Sequence, residues 1–538
     1  MNRLLKDLRT SELDRRKFLA LTSAGAVAAV FGFGPYTSRE AADLTFASDP
    51  FTLGVASGDP LPDGVVLWTR LAPDPLAEGG AGGMPYEKVA VRWEISEYEN
   101  FRKLTKTGTA FAHPELAHSV HVEATGLRPD RWYFYRFRVG REVSPVGRTK
   151  TAPAPGANNS RLNFAFASCQ AYPDGFWTAY EHMASEDLDL VVHLGDYIYE
   201  YGIPTHGGRR NQPGSVPIYF AGETITLDRY RLQHALYKSD PNLQAVHRNF
   251  PWIVTWDDHE VENNYAAGIP EASSQTPNPA DFLVRRANAY RAYYEHMPLR
   301  RTSMPQGPDM QLYRRLRYGN LAEFNVLDTR QFRSDQAAGD GTDPPNPESL
   351  DPARTITGAE QERWLLDGLA ASQATWNVLA NQVIMAQRDV ADGYAKAYSM
   401  DQWDGYVGSR DRVLGFITQQ QIRNPVVITG DVHSNWAANL KANFDDPASR
   451  TIGVELIGTS ISSGGDGSDT SAGGELALRQ NPHYKFFNGQ RGYVKCAVTP
   501  ELWKADYRVV PFVYEQGAPI STRRSFVTEA GNPGLEDA

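Results

Sequence analysis

From residue 160 onward, apolar runs alternate with amphipathic ones. The short apolar runs span 162–168, 190–195, 252–256, 323–327, 376–379, 425–430 and 453–457. Each is too short for a buried helix and rich enough in β-branched residues to read as a strand covered on both faces. Between them, 176–185, 227–238, 282–294 and 358–371 carry helical spacing. Strand and helix in alternation over roughly 350 residues predict a layered α/β domain. The region before it has a different rhythm. Val65 to Arg70, Val89 to Ile95 and Trp132 to Phe137 are β-branched and aromatic, and the latter two alternate in part, which predicts a small β-sandwich over 50–153. The Pro-, Ala- and Asn-rich stretch from Thr151 to Ser160 reads as a linker. The segments 302–307, 336–347 and 462–474 are mostly polar and rich in Gly or Pro, and read as mobile loops.

Composition narrows the class without changing this layout. With 538 residues, 41% hydrophobic and 22% charged, the chain has an ordinary globular make-up and room for several domains. A net charge of −10 and no run of Lys and Arg in the mature part exclude a nucleic-acid-coating role. Two cysteines, Cys169 and Cys496, exclude a disulfide scaffold; they leave open one bridge, or one ligand and one buried bystander. Arg15 and Arg16 precede a short run rich in Ala and Gly, the pattern of a twin-arginine signal peptide over 1–45. That run is too short to span a bilayer, and no other segment qualifies, so no transmembrane anchor is expected. The expected location is secreted or periplasmic, reached through the twin-arginine export machinery.

Four strands end in residues that bind metals. FAFASCQ supplies Cys169, LVVHLGDYIYE supplies Asp196 and Tyr199, PWIVTWDDHEVENN supplies Asp257, Asp258, His259, Glu260 and Asn263, and PVVITGDVHSNW supplies Asp431 and His433. Ligand-type residues placed directly after apolar strands converge on one edge of a sheet, where clefts form. Cys169, Asp196, Tyr199 and His433 would offer a thiolate, a carboxylate, a phenolate and an imidazole, a set that suits ferric iron. Tyr197 and Tyr201 are alternatives to Tyr199 at that position. Asp196, Asp258, Asp431 and Asn263 offer only oxygen, the preference of calcium, magnesium or manganese. Asp196 would bridge the two cations, an arrangement used for in-line displacement at phosphorus. Asp257 and Glu260 read as supporting residues, and His182, His193, His234, His247 and His296 as structural.

The order Cys, G-D-x-x-Y, D-H-E, G-D-x-H resembles the calcineurin-like metallophosphoesterases in the variant of the alkaline phosphatase D (PhoD-like) family. The twin-arginine leader, the sandwich, YYEHMPLR (Tyr293 to Arg300) and LDTRQFR (Leu327 to Arg333) also sit where that family has them. Leu127-Arg128-Pro129 resembles the turn into a late strand of fibronectin type III domains, so the N-terminal sandwich is expected to be fibronectin III-like, and the family resemblance implies a four-layer αββα catalytic domain over 160–520. It implies Fe3+ and Ca2+, with Mg2+ or Mn2+ as alternatives in the oxygen site, and hydrolysis of phosphate mono- or diesters. Asp258 and Asp431 stand where relatives outside this variant carry Asn and His, which makes the second subsite harder and favours calcium over zinc. In the mechanism so implied, a hydroxide generated on iron attacks phosphorus in line, and His259 protonates the leaving alkoxide or orients the phosphate.

Three rival readings remain at this level: phosphodiesterase or phospholipase D-type activity on the same metals, an exported binding protein whose α/β part is a relic, and a zinc phosphatase. The last would lean on a Ser nucleophile in its own motif, which the chain lacks.

Overall fold

The computed structural model describes residues 38–39, 46, 48–204, 210 and 216–538; the paired arginines and the apolar run after them lie outside these. The described chain is a mixed α/β structure built on several sheets.

The largest sheet has ten strands. Its centre is parallel: Leu162–Ala167 pairs with Leu190–Leu194, which pairs with Pro251–Thr255. All three are buried along nearly their whole length, as continuous apolar runs require. Their side chains alternate between two cores. Ala165, Val191, Trp252 and Val254 pack toward the helices Thr178–Met183, Leu227–Lys238, Pro241–Asn249 and Pro279–His296. Phe164, Phe166, Leu190, Val192 and Ile253 face Phe324, Val326, Val378, Val426 and Val454 of a second, seven-stranded sheet. The far face of that sheet is covered by helices Gly358–Ala371 and Val407–Gln419.

Helix starts follow local chemistry. Asp240 caps Pro241–Asn249 by accepting from Asn242 N and Leu243 N at 2.9 Å, and Asn278 caps Pro279–His296; both place Pro in the first turn, where its missing N–H costs nothing.

The N-terminal region forms two sheets around Val65, Leu67, Val89, Val91, Tyr133, Tyr135 and Phe137. One of them is not separate from the rest of the chain. Val55–Leu61 pairs in parallel with Pro251–Thr255, Ser57 opposite Pro251, so this region extends the ten-stranded sheet. At its other edge the same sheet is completed by antiparallel strands from Arg491–Val498 through Asn532–Asp537. These C-terminal strands and the helices 241–249 and 407–419 are absent from the sequence reading, because their partners are remote in the chain and their own patterns are partly polar.

Both cysteines are free and buried, so the bridge left open by the sequence is not made. Cys496 sits opposite Phe164 in the inter-sheet core, whereas Cys169 lies past the end of its strand.

Candidate metal centre

Register explains why the ligand-type residues meet. Ala167 is level with His193, and Leu194 with Thr255, so Cys169, Asp196 and the Asp257-Asp258 pair leave the large sheet at one edge. In the second sheet Ala380 is level with Ile428 and Thr429 with Ile457, which sends Asp431 and His433 out at the corresponding edge. A bridge between Ser168 and Ser460 joins the two sheets there. The close approach depends on two glycines. A Cβ on Gly195, whose φ is +111°, would lie 2.5 Å from Asp257 N, and one on Gly430 would lie 2.5 Å from Ser168 Oγ. The Gly of each G-D pair is therefore there for space, and the Asp for chemistry.

The ligand atoms gather into three overlapping groups: Cys169, Asp196 and His433; Asp196, Asp258 and His259; Asp257, Asp258 and Asp431. Within each group the atoms lie within 4.8 Å of one another. Tyr199 joins the first group, with its hydroxyl 2.9 Å from Asp196 Oδ2 and 3.1 Å from His433 Nε2. Tyr197 turns away to His247 at 2.8 Å, and Tyr201 is half-exposed, so of the three tyrosines it is Tyr199 that reaches the ligand cluster. Asn263 donates through Nδ2 to Glu271 at 2.9 Å and through its backbone to Glu200 at 2.8 Å.

Cys169, Asp196, Asp431 and His433 have φ of 59°, 56°, 65° and 52°, the left-handed region that non-glycine residues avoid. Such conformations cost about 1–3 kcal/mol each and persist where the surroundings hold them, most often at functional sites. Here the holding contacts are visible. Glu260 accepts from Asp196 N, Tyr197 N and Asp257 N at 2.6–3.1 Å, fixing two of the site's loops with one carboxylate. Arg330, fully buried, donates to Asp257 Oδ1 at 2.5 Å and forks onto Asp401 at 2.7 and 2.8 Å; Arg333 adds a third contact to Asp401. Gln402 donates to Asp431 Oδ2 at 2.7 Å, and Arg491 donates to the His433 carbonyl at 2.5 Å.

A cation fits this cradle on two grounds. Buried carboxylate oxygens are left open: Asp196 Oδ1 accepts no hydrogen bond, and neither does Asp258 Oδ1, with Arg330 Nη2 at 3.5 Å. Burial and the neighbouring carboxylates also make charge costly. Burial, then Asp196, raises the Cys169 thiol; burial, then Asp196 and Cys169, raises the Tyr199 phenol; burial raises Asp196 and Asp257, and lifts Asp431 to about 6. His433 is driven by burial and by Arg491 down to about 3, so it stays neutral with a lone pair available. Without a cation these groups hold protons, and a multivalent cation would let them share one buried place as anions. Cys169, Tyr199 and His433 offer sulfur, oxygen and nitrogen, while Asp258 and Asp431 offer oxygen alone.

His259 stands at the rim of this cluster. Its Nδ1 lies 2.8 Å from Glu200 Oε2, and its ring centre lies 4.2 Å from that of Tyr199, tilted by 32°. Burial works against its charge, yet Glu200, Asp258 and Asp196 together raise it well above the ordinary imidazole value.

Several contributors were missed by the sequence reading. Ser462 and Ser463, expected in a mobile loop, are fully buried: Ser462 accepts from the Trp177 indole at 3.0 Å, and Ser463 donates to the Tyr199 hydroxyl at 2.8 Å. The anchoring arginines 330 and 333 carry no signal beyond membership of LDTRQFR.

Comparison with known proteins gives the family. The PhoD-like phosphatase family profile matches residues 164–507, and the profile of the PhoD-like phosphatase N-terminal domain matches residues 37–153. The chain is 55% identical over 535 residues to alkaline phosphatase D of Bacillus subtilis (strain 168), covering 98% of this chain and 90% of that relative. A solved structure described as that of PhoD superposes with a TM-score of 0.88 at 57% identity, covering 92% of this chain and 93% of the other.

Proposed function

The chain belongs to the PhoD-like phosphatase family and is a phosphoric ester hydrolase, and from that premise we propose how its own residues carry the reaction. The observation behind the proposal is the convergence of Cys169, Asp196, Tyr199, Asp258, Asp431 and His433 from the corresponding edges of the two sheets, with open oxygens on Asp196 and Asp258. Cys169, Asp196, Tyr199 and His433 would hold ferric iron. Asp196, Asp258 and Asp431 would hold calcium, or magnesium or manganese, with Asp196 shared. Asn263 would join them through its carbonyl oxygen, because its amide nitrogen is already turned to Glu271. When bound, such cations supply Lewis acidity, neutralising the phosphoryl charge and lowering the pKa of the attacking water.

Everything else falls to protein groups. Glu200 receives the Nδ1 proton of His259, which fixes the ring and leaves Nε2–H as the donor to the departing oxygen. Glu200, which lies 2.8 Å from Nδ1 and is not among the proposed metal ligands, favours the protonated ring and so equips His259 to give up a proton. Arg330 and Glu260 keep Asp257 and Asp196 in place while the phosphoryl group passes, and Ser463 supports the Tyr199 oxygen.

Two ordered domains, the β-sandwich over 50–153 and a four-layer αββα catalytic domain over 160–520, are the organisation we assign to this chemistry. The two-core packing of the large sheet supports the layered part. The paired Arg15 and Arg16 support export through the twin-arginine machinery to a secreted or periplasmic location. No helix among the described residues is long and apolar enough to cross a membrane.

The acid role has a direct test. With His259→Gln, hydrolysis of an alkyl phosphate should fall on the order of 100-fold and that of nitrophenyl phosphate much less, because nitrophenolate needs no proton to leave. Equal losses on both would end the acid assignment. The metal assignment is checked by elemental analysis and by a visible phenolate-to-iron absorption that disappears in Tyr199→Phe.

A further inference from the structure

We propose that Tyr201 forms the subsite for the alcohol half of the substrate and gives the enzyme a preference for ring-bearing alcohols over small alkyl ones; this rests on His259 as the acid. Three tyrosines alternate in the segment DYIYEY, and each has a different fate. Tyr197 is 1% exposed and belongs to the helix-side core; Tyr199 is 6% exposed and points into the ligand cluster; Tyr201 is 48% exposed, a large aromatic at the mouth. Its ring lies 5.4 Å from that of His259 at 63°, on a histidine whose ring is itself 4.2 Å from Tyr199. The three rings form a path from the buried cluster to solvent.

Placement of this ring is not left to a loose chain. The buried Gln233 side-chain amide donates to the carbonyl of Tyr199 at 2.6 Å and to that of Tyr201 at 3.2 Å, so one group sets the backbone at both positions. The main chain is held while the ring is 48% exposed, its one aromatic contact among the described residues being the edge-on approach to His259, which leaves a preorganised surface. Direction follows from His259. Its Nδ1 is engaged by Glu200, so the departing oxygen must approach Nε2, and whatever is attached to that oxygen leaves the cluster along the rim where Tyr201 stands. A planar or ring-shaped alcohol can cover the tyrosine face there; a methyl or ethyl group reaches too little of it.

The test compares two alcohols of similar leaving ability, so that acid catalysis is held constant. In the metal-loaded full chain, kcat and KM are measured for benzyl phosphate and ethyl phosphate with the parent, Tyr201→Ala, Tyr201→Leu and Tyr201→Phe. Tyr201→Ala and Tyr201→Leu should each lose about 5–10-fold in kcat/KM on benzyl phosphate, mainly through KM, and under about 2-fold on ethyl phosphate. Tyr201→Phe should resemble the parent. Equal losses on both esters, or undiminished activity on the benzyl ester, would overturn the proposal; a role confined to orienting His259 would produce the former. The leucine variant keeps side-chain bulk should alanine disturb the rim. Failure of the acid reading shows separately, in His259→Gln losing equally on nitrophenyl and alkyl esters with Tyr201 intact.

Discussion

Two buried polar clusters lie back to back across the segment HLGDYIYE, and they handle charge in opposite ways. On the ligand side, Asp196 and Tyr199 join Cys169, Asp257, Asp258 and Asp431. On the helix side, His193 and Tyr197 join His234, His247, His296, Lys238 and Arg70. In that second cluster His234 stacks on His296 at 4.9 Å, His247 on Trp252 at 3.8 Å, and Lys238 lies 4.4 Å over Trp68. Neither ring nitrogen of His193 or His234 has a hydrogen-bonding partner among the described residues. Burial drives His193 down to about 3 and Lys238 to about 7, and pushes His234, His247 and His296 well below their ordinary value. Bases of this kind shed charge cheaply near neutral pH and then pack as aromatic rings. Carboxylates cannot do so without taking up protons far above their usual range. The base cluster therefore packs as core, whereas the acid cluster either holds protons or, on the reading proposed above, binds cations.

The sharpest way to break the distinction is to remove the shared carboxylate. Asp196→Ala should lose three or more orders of magnitude in phosphatase activity, with loss of both metals, since several kcal/mol of transition-state stabilisation depend on the cations. Retained metal with retained activity would dissolve the division between the clusters. Next in size comes the anchor. Arg330→Met leaves Asp257 and Asp401 without their buried partner, and should cost about 3–5 kcal/mol of stability together with roughly 10–100-fold in metal affinity. Unchanged metal content and an unchanged melting temperature would show that Arg330 does not support the centre.

Removing metal should reverse the pH response. In the metal-free chain Asp196, Asp257 and Asp431 have raised pKa values, so the folded state binds more protons than the unfolded one above the ordinary carboxylate range, and stability falls as pH rises. With metal bound, that dependence is gone. Chelation should therefore lower Tm more at pH 8 than at pH 5, read by differential scanning calorimetry at both values. An equal drop would mean that the carboxylates are not what the metal neutralises.

Much of this was legible in the chain and some was not, for reasons that differ by residue. The strand ends at Cys169, Asp196 and His433 could be read because an apolar run stopping at a ligand-type residue is a local signal. The helix 227–238 was legible from its helical spacing, and the structure adds Thr226 as its cap. Ser463 could not be read: a serine among glycines and aspartates looks like loop, and only the Ser168–Ser460 bridge brings it onto Tyr199. Arg330 and Asp401 are far apart in sequence, and their pairing exists only after three strands and an α-helix between them have been placed. The continuity of the N-terminal strands with the large sheet depends on the register of Ser57 against Pro251, which no hydrophobic period encodes.

The smallest effect sharpens the comparison from the base side. Lys238 titrates at about 7 in the fold because burial penalises its ammonium, against an ordinary value near 10.5. Between those values the unfolded chain binds more protons than the folded one, so stability rises as pH climbs through this window, and below pH 7 the full penalty remains. Trp68 returns part of it through its ring face. Lys238→Met keeps the stem and removes the charge. It should raise stability by about 1–3 kcal/mol at pH 6, and by less at pH 10, where the native lysine is already neutral. His259 and the ligand cluster take no part, so phosphatase activity at pH 8 should be unchanged. A gain equal at both pH values would show that Lys238 carries no buried charge, and that the cluster behind the sheet differs from the one in front by packing alone.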